Sequence, residues 1–154
     1  MPDTCRPVAE TGVSHLGLSV ADLERSIRFY CDVLGAQPLQ PATDSDRGAF
    51  RMAIVMFGAT ALDLCQHAGN GGEGFLPART GLDHLAFTAS SQAEIEAWAR
   101  WLDDNGIARS EIRDAMGAGA IFDFLDPDGI QLEFFFFDPG RLSRSATQAE
   151  TTST

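Results

Sequence analysis

Basic residues are in short supply: 11 Lys and Arg stand against 22 Asp and Glu, a formal net charge of −11. That excess of carboxylates repels a phosphate backbone and argues against a nucleic-acid partner. It argues equally against an anionic membrane surface. Long apolar runs are also missing. The apolar stretch near Leu132 to Phe137 is interrupted by Glu133, and nothing is long enough to span a bilayer. The opening segment MPDTCRPVAE has neither a basic nor an apolar region, so no secretory signal is expected. Cysteine is sparse. Cys5, Cys31 and Cys65 lack metal or redox spacing, which fits a reducing cytoplasm and no disulfide framework.

What remains is an ordinary globular composition, 44% hydrophobic and 21% charged over 154 residues. That length suits one domain or two small repeated modules. An internal repeat decides between them. VSHLGLSVADLERSIRFYCDVLGA and LDHLAFTASSQAEIEAWARWLDDNGIA each read as a short strand with a central His, an amphipathic helix and a closing Gly. Apolar segments suited to strands follow each copy. The expected modules are βαβββ twice, at 12–68 and 82–138, joined by a linker at 69–81. Polar segments at 1–11 and 139–154 read as flexible tails.

In the first helix Leu23, Ile27, Tyr30 and Leu34 share a face, with Asp22 as N-cap and Gly35 past the end. In the second, Ser91 and Glu94 have capping-box spacing, Ile95, Trp98 and Leu102 form the stripe, and Gly106 ends it. Asp126-Pro127-Asp128-Gly129 predicts a turn between strands.

Strand alternation carries the functional information. Leu16, Leu18 and Val20 point one way, and His15, Gly17 and Ser19 the other. Leu85 and Phe87 oppose His84, Ala86 and Thr88. Each His thus lies on a face of small or polar residues, as in a cavity lining. Later strands place Asp63 with Ala61, Cys65 and His67, and Glu133 with Gln131, Phe135 and Phe137. The repeat therefore supplies two acid/His pairs at near-equivalent positions. Alone, each residue has a plainer explanation: a structural or surface His, a solvent-facing Asp, a Glu held by an arginine. Matched repeat positions make His15, His84 and Glu133 the candidate ligands of one divalent metal, with Fe, Mn, Ni, Co and Zn all compatible. Cys65 and His67 are read as bystanders. Open positions on such an ion suit a substrate that binds through two neighbouring oxygens.

VSHLGLSVADLERSIRFYCDVLGA, GLDHLAFTA and FDFLDPDGIQLEFF resemble the vicinal oxygen chelate superfamily of glyoxalases, bleomycin-resistance proteins and extradiol dioxygenases, over roughly residues 12–138. The resemblance implies an α+β fold in which two tandem βαβββ modules form a curved, partly open mixed sheet around a metal-binding cavity. It carries the ligand positions to His15, His84 and Glu133, and a variable fourth position to Asp63. Asp is one methylene shorter than the Glu or Gln common there, which suits a base close to the metal. Glu133 or Asp63 is the candidate catalytic base. MGAGAIFDF lacks the Ser and Tyr that fosfomycin-resistance enzymes usually place there. The one tyrosine, Tyr30, sits on a helix face expected to be buried, which disfavours extradiol ring cleavage. The resemblance implies glyoxalase-like lyase or isomerase chemistry on a small oxygenated substrate, in a cytoplasmic homodimer. The alternatives are a non-catalytic drug- or metabolite-binding resistance protein and a single-domain dioxygenase.

Overall fold

The structure is a computed structural model that describes residues 12–45, 48–138 and 140. The two expected tails, Gly140 apart, lie outside the described residues. The chain divides into two compact units at Asn70/Gly71. The first contains β1 (His15–Ser19), α1 (Leu23–Arg28), β2 (Gln37–Asp44), β3 (Phe50–Phe57) and β4 (Thr60–His67). The second contains β5 (Leu85–Thr88), α2 (Gln92–Asp104), β6 (Arg113–Asp114), β7 (Gly119–Leu125) and β8 (Gln131–Phe137). Each unit is βαβββ, as the repeat predicts. Each forms its own four-stranded open sheet, ordered β1-β4-β3-β2 and β5-β8-β7-β6. In both, the first and last strands pair in parallel and the rest are antiparallel. The fold is α+β with two mixed sheets. No described helix is long and apolar enough to cross a membrane.

The helices form where the sequence marks them. Asp22 Oδ1 accepts the Arg25 N–H at 2.9 Å and caps α1. The expected stripe is altered. Leu23, Tyr30 and Leu34 are buried, but so are Ser26 and Phe29, while Ile27 is only half-buried. The helix continues as a π-helical turn over Phe29–Val33, and this wider turn lets the adjacent Phe29 and Tyr30 both face inward. Gly35, at φ +75°, closes it with its N–H on Cys31 O, and Ala36 N–H reaches Tyr30 O. In α2, Ser91 Oγ accepts the Glu94 N–H at 3.2 Å. Glu94 reaches back to the N–H of Ser90, not that of Ser91, so the reciprocal bond falls one residue early. Ile95, Ala99 and Leu102 are buried. Trp98, expected in the stripe, is half-buried and stacks on Phe134 with ring centroids 4.4 Å apart.

Alternation fixes the sheet faces. Leu18, Leu62 and Leu64 are buried in the first unit, and Phe87, Phe122, Leu132 and Phe134 in the second. Each such side chain contributes roughly 1.5–3 kcal/mol of burial. The DPDG turn sets the register of β7 and β8. Asp126 Oδ1 accepts the N–H groups of Asp128 (2.9 Å) and Ile130 (2.8 Å), and Gly129 takes φ +82°. Leu125 then faces Gln131, and Asp123 faces Glu133.

Candidate functional site

Each unit brings one His to one carboxylate. In the first, Gly17 on β1 is the register partner of Asp63 on β4, and His15 lies two residues earlier on the same face. His15 Nε2 stands 4.0 Å from Asp63 Oδ2, with 59% of the imidazole side chain exposed. Its Nδ1 is 3.0 Å from Ser14 Oγ. In the second unit, Ala86 on β5 pairs with Glu133 on β8, and His84 again lies two residues earlier. His84 immediately precedes β5 instead of lying within it, a small departure from the expected strand. Its Nε2 is 3.8 Å from Glu133 Oε2, and the Glu133 side chain is only 10% exposed.

The second pair has the richer surroundings. His84 Nδ1–H donates to Asp83 Oδ1 at 2.7 Å, since a carboxylate can only accept. This fixes the tautomer that leaves the Nε2 lone pair toward Glu133, the orientation that carboxylates impose on metal-ligating imidazoles. The same bond is the main cause that holds the His84 pKa above its ordinary value; burial opposes it, and the Glu133 charge adds to it. Burial pushes the Glu133 carboxyl up, and the facing Asp123 carboxyl pushes it further. The Gln131 amide, donating to Oε1 at 3.1 Å, and the neighbouring His84 pull it down.

Sequence reasoning missed Asp83, Asp123 and Arg113, and placed Gln131 on the face of Glu133 without giving it a role. Asp123 had a signal. It is the charged residue of the otherwise apolar AIFDFL strand, and counting outward from the DPDG turn sets it against Glu133. Cys65 and His67, read as bystanders, stay apart from the pair: Cys65 Sγ turns to Asp63 O at 3.7 Å, and His67 lies against the Phe50 ring.

Imidazole and carboxylate are donor types that a divalent ion takes. Gaps of 3.8 and 4.0 Å are too long for hydrogen bonds. Two bonds of roughly 2.0–2.2 Å at a tetrahedral angle span about 3.4 Å, so either pair has to close by a few tenths of an ångström around an ion. The set His15, His84 and Glu133 draws on both units. Within the described residues no group of three or more His, Cys, Asp and Glu is gathered tightly enough to hold an ion. Each unit by itself presents one His–carboxylate pair across its parallel strands.

Tandem βαβββ units with a His/carboxylate pair at the same register position of each define a paired-module α+β protein. The chain belongs to the Glyoxalase/Bleomycin resistance protein/Dioxygenase superfamily, whose profile matches residues 12–134. It is 33% identical over 126 residues to the metallothiol transferase FosB of Staphylococcus saprophyticus, covering 79% of this chain and 74% of that one. It is 29% identical to YwkD of Bacillus subtilis, covering 80% of this chain and 94% of that protein. Among solved structures, a glyoxalase/bleomycin resistance protein/dioxygenase domain from Frankia sp. EAN1pec superposes with a TM-score of 0.77 at 31% identity, covering 86% of this chain and 96% of that one.

Proposed function

We propose that this chain is a metal-dependent enzyme that turns over a small oxygenated molecule bound through two neighbouring oxygens, with glyoxalase-like lyase or isomerase chemistry. His15, His84 and Glu133 hold one divalent ion. The observation that carries this reading is the matched register of the two His/carboxylate pairs. Two unrelated surface pairs would have no reason to repeat it. When bound, the ion supplies Lewis acidity to the substrate's oxygens.

The chain's own residues do the rest. Asp83 holds the His84 ring so that Nε2 faces the site. Glu133, buried and raised, is suited to take a proton from carbon or oxygen and return it. Asp63, on the shorter side chain, acts as a base beside the ligands. Whether the two modules that build one site come from one chain or from two, the working unit is a cytoplasmic homodimer. Light scattering at micromolar concentration is expected to give twice the chain mass, and a monomer mass throughout a dilution series would reject the dimer.

A second reading, thiol transfer to a small electrophile, is favoured by the similarity to the FosB metallothiol transferase. One screen separates the readings: metal-reconstituted protein offered hemithioacetals, α-ketoacids, catechols, and an epoxide with a thiol. Product that requires metal and is lost in Glu133→Gln supports an enzyme, and the substrate that reacts selects the chemistry. Tight binding with every compound returned unchanged would reject turnover in favour of sequestration.

A further inference from the structure

The modules differ at one cross-strand position beside their acids. Ile54 of β3 faces Asp63, whereas Asp123 of β7 faces Glu133. Asp123 is firmly held. Its Oδ2 accepts from Arg113 Nη2 at 2.5 Å, and its backbone N–H donates to Ser110 Oγ at 2.9 Å. Its side chain is 19% exposed. Oδ1 is buried and meets no hydrogen-bond donor among the described residues. A buried carboxylate oxygen without a donor is costly, so it calls for a positive partner beside it. Across the β7–β8 ladder Asp123 is the register partner of Glu133. Arg113 serves one end of this assembly and Gln131 satisfies Glu133 Oε1. Among the described residues Asp123 Oδ1 keeps no donor within hydrogen-bonding distance, and His84 Nε2 stands 3.8 Å from Glu133 Oε2.

Resting on the metal site proposed above, we infer that Asp123, braced by Arg113, is a positioning residue for Glu133 and biases the site toward oxygen-preferring divalent ions such as Mn(II). The physical reason is charge and hardness. A second carboxylate behind the ligating one raises the negative field on the oxygen side of the site. Carboxylate-rich surroundings suit Mn(II), whereas imidazole ligands suit Zn(II) well without them. Arg113 keeps Asp123 from turning away, and the β7–β8 register keeps it opposite Glu133. The first module, with Ile54 in that place, lacks the device.

The test is a pair of titrations on the full chain, Mn(II) alone and Zn(II) alone, with wild type, Asp123→Asn and Glu133→Gln. Asp123→Asn should raise the Mn(II) dissociation constant about 10-fold or more and the Zn(II) constant less than about 3-fold. A loss of packing would weaken both ions alike, so the ratio separates positioning from general damage. Asn retains the size of Asp and a carbonyl for Arg113; if that variant does not fold, Asp123→Ser carries the same expectation. An unchanged ratio, whether both constants move together or neither moves, overturns the inference. Glu133→Gln should weaken both ions. If it binds them as wild type does, the metal site itself falls, and the role of Asp123 falls with it.

Discussion

His15 with Asp63 and His84 with Glu133 occupy the same register positions in two modules of one topology, yet their neighbours differ at each equivalent place. Ser14 precedes the first His, and Asp83 precedes the second. Ile54 faces the first acid, and Asp123 faces the second. Ala61 stands two residues before Asp63, whereas Gln131 stands two before Glu133 and donates to it. The first pair is neutral-lined and more open. In the second the acid is buried, its neighbours are charged, and both members of the pair are hydrogen-bonded. The repeat thus duplicates a geometry, and the residues around it assign different work to the copies. On the proposed reading, module two holds the ion and module one supplies a third ligand and a base.

The sharpest way to break this comparison is to remove each acid. Glu133→Ala should lower metal affinity by orders of magnitude, because two remaining ligands rarely hold a divalent ion against water. Asp63→Asn should leave affinity nearly unchanged while turnover falls by about 100-fold, the scale of a lost general base. Calorimetry and steady-state rates on the same preparations check both. Equal metal loss in the two variants would make Asp63 a ligand and erase the distinction.

A smaller effect is expected from the residue before each His. Asp83→Asn should weaken metal binding by about 10-fold, as loss of a carboxylate that orients a ligating His does; Ser14→Ala should change it little. The pH dependence has a definite sign. Asp83 raises the His84 pKa, so protons compete with metal up to a higher pH than for free imidazole. Without Asp83, His84 in the metal-free protein should lose its proton at lower pH, which proton NMR of the imidazole reads. An upward shift would contradict the role given to Asp83.

The smallest effect concerns metal-free stability. The fold raises the Glu133 pKa, so its ionised form opposes folding. This cost is present above the folded-state pKa and relieved as pH falls through it. Glu133→Gln should therefore stabilise the metal-free protein by about 1 kcal/mol near neutral pH, as relief of a strained functional group does. Its advantage should shrink in acid. Thermal melts at two pH values with chelator present read both. A destabilised Gln variant would mean that Glu133 is well satisfied without an ion.

Much of this was legible in the sequence. The repeat, the helix caps at Asp22 and Ser91, the DPDG turn and the faces of His15, His84 and Glu133 all follow from local periodicity and turn chemistry. The π-helical turn at Phe29–Val33 was not legible, because a 3.6-residue period cannot foresee an inserted residue. Asp123 went unread for another reason. Its meaning depends on a cross-strand partner, which alternation within a single strand does not reveal. Asp83 is similar: a solvent-facing acid in sequence, it matters only once the His84 ring is seen to turn back toward it.

The central claim is that the pairs serve one ion, with His15 from the first module joining His84 and Glu133 from the second. Metal content per chain after reconstitution and desalting tests it most directly, measured by plasma emission on wild type, His15→Ala, His84→Ala and a His67→Ala control. One ion per chain in wild type and in His67→Ala, with almost none in either His15→Ala or His84→Ala, is the predicted result. Two ions per chain in wild type, or a full ion retained when His15 is removed, would contradict it and make each module a separate site.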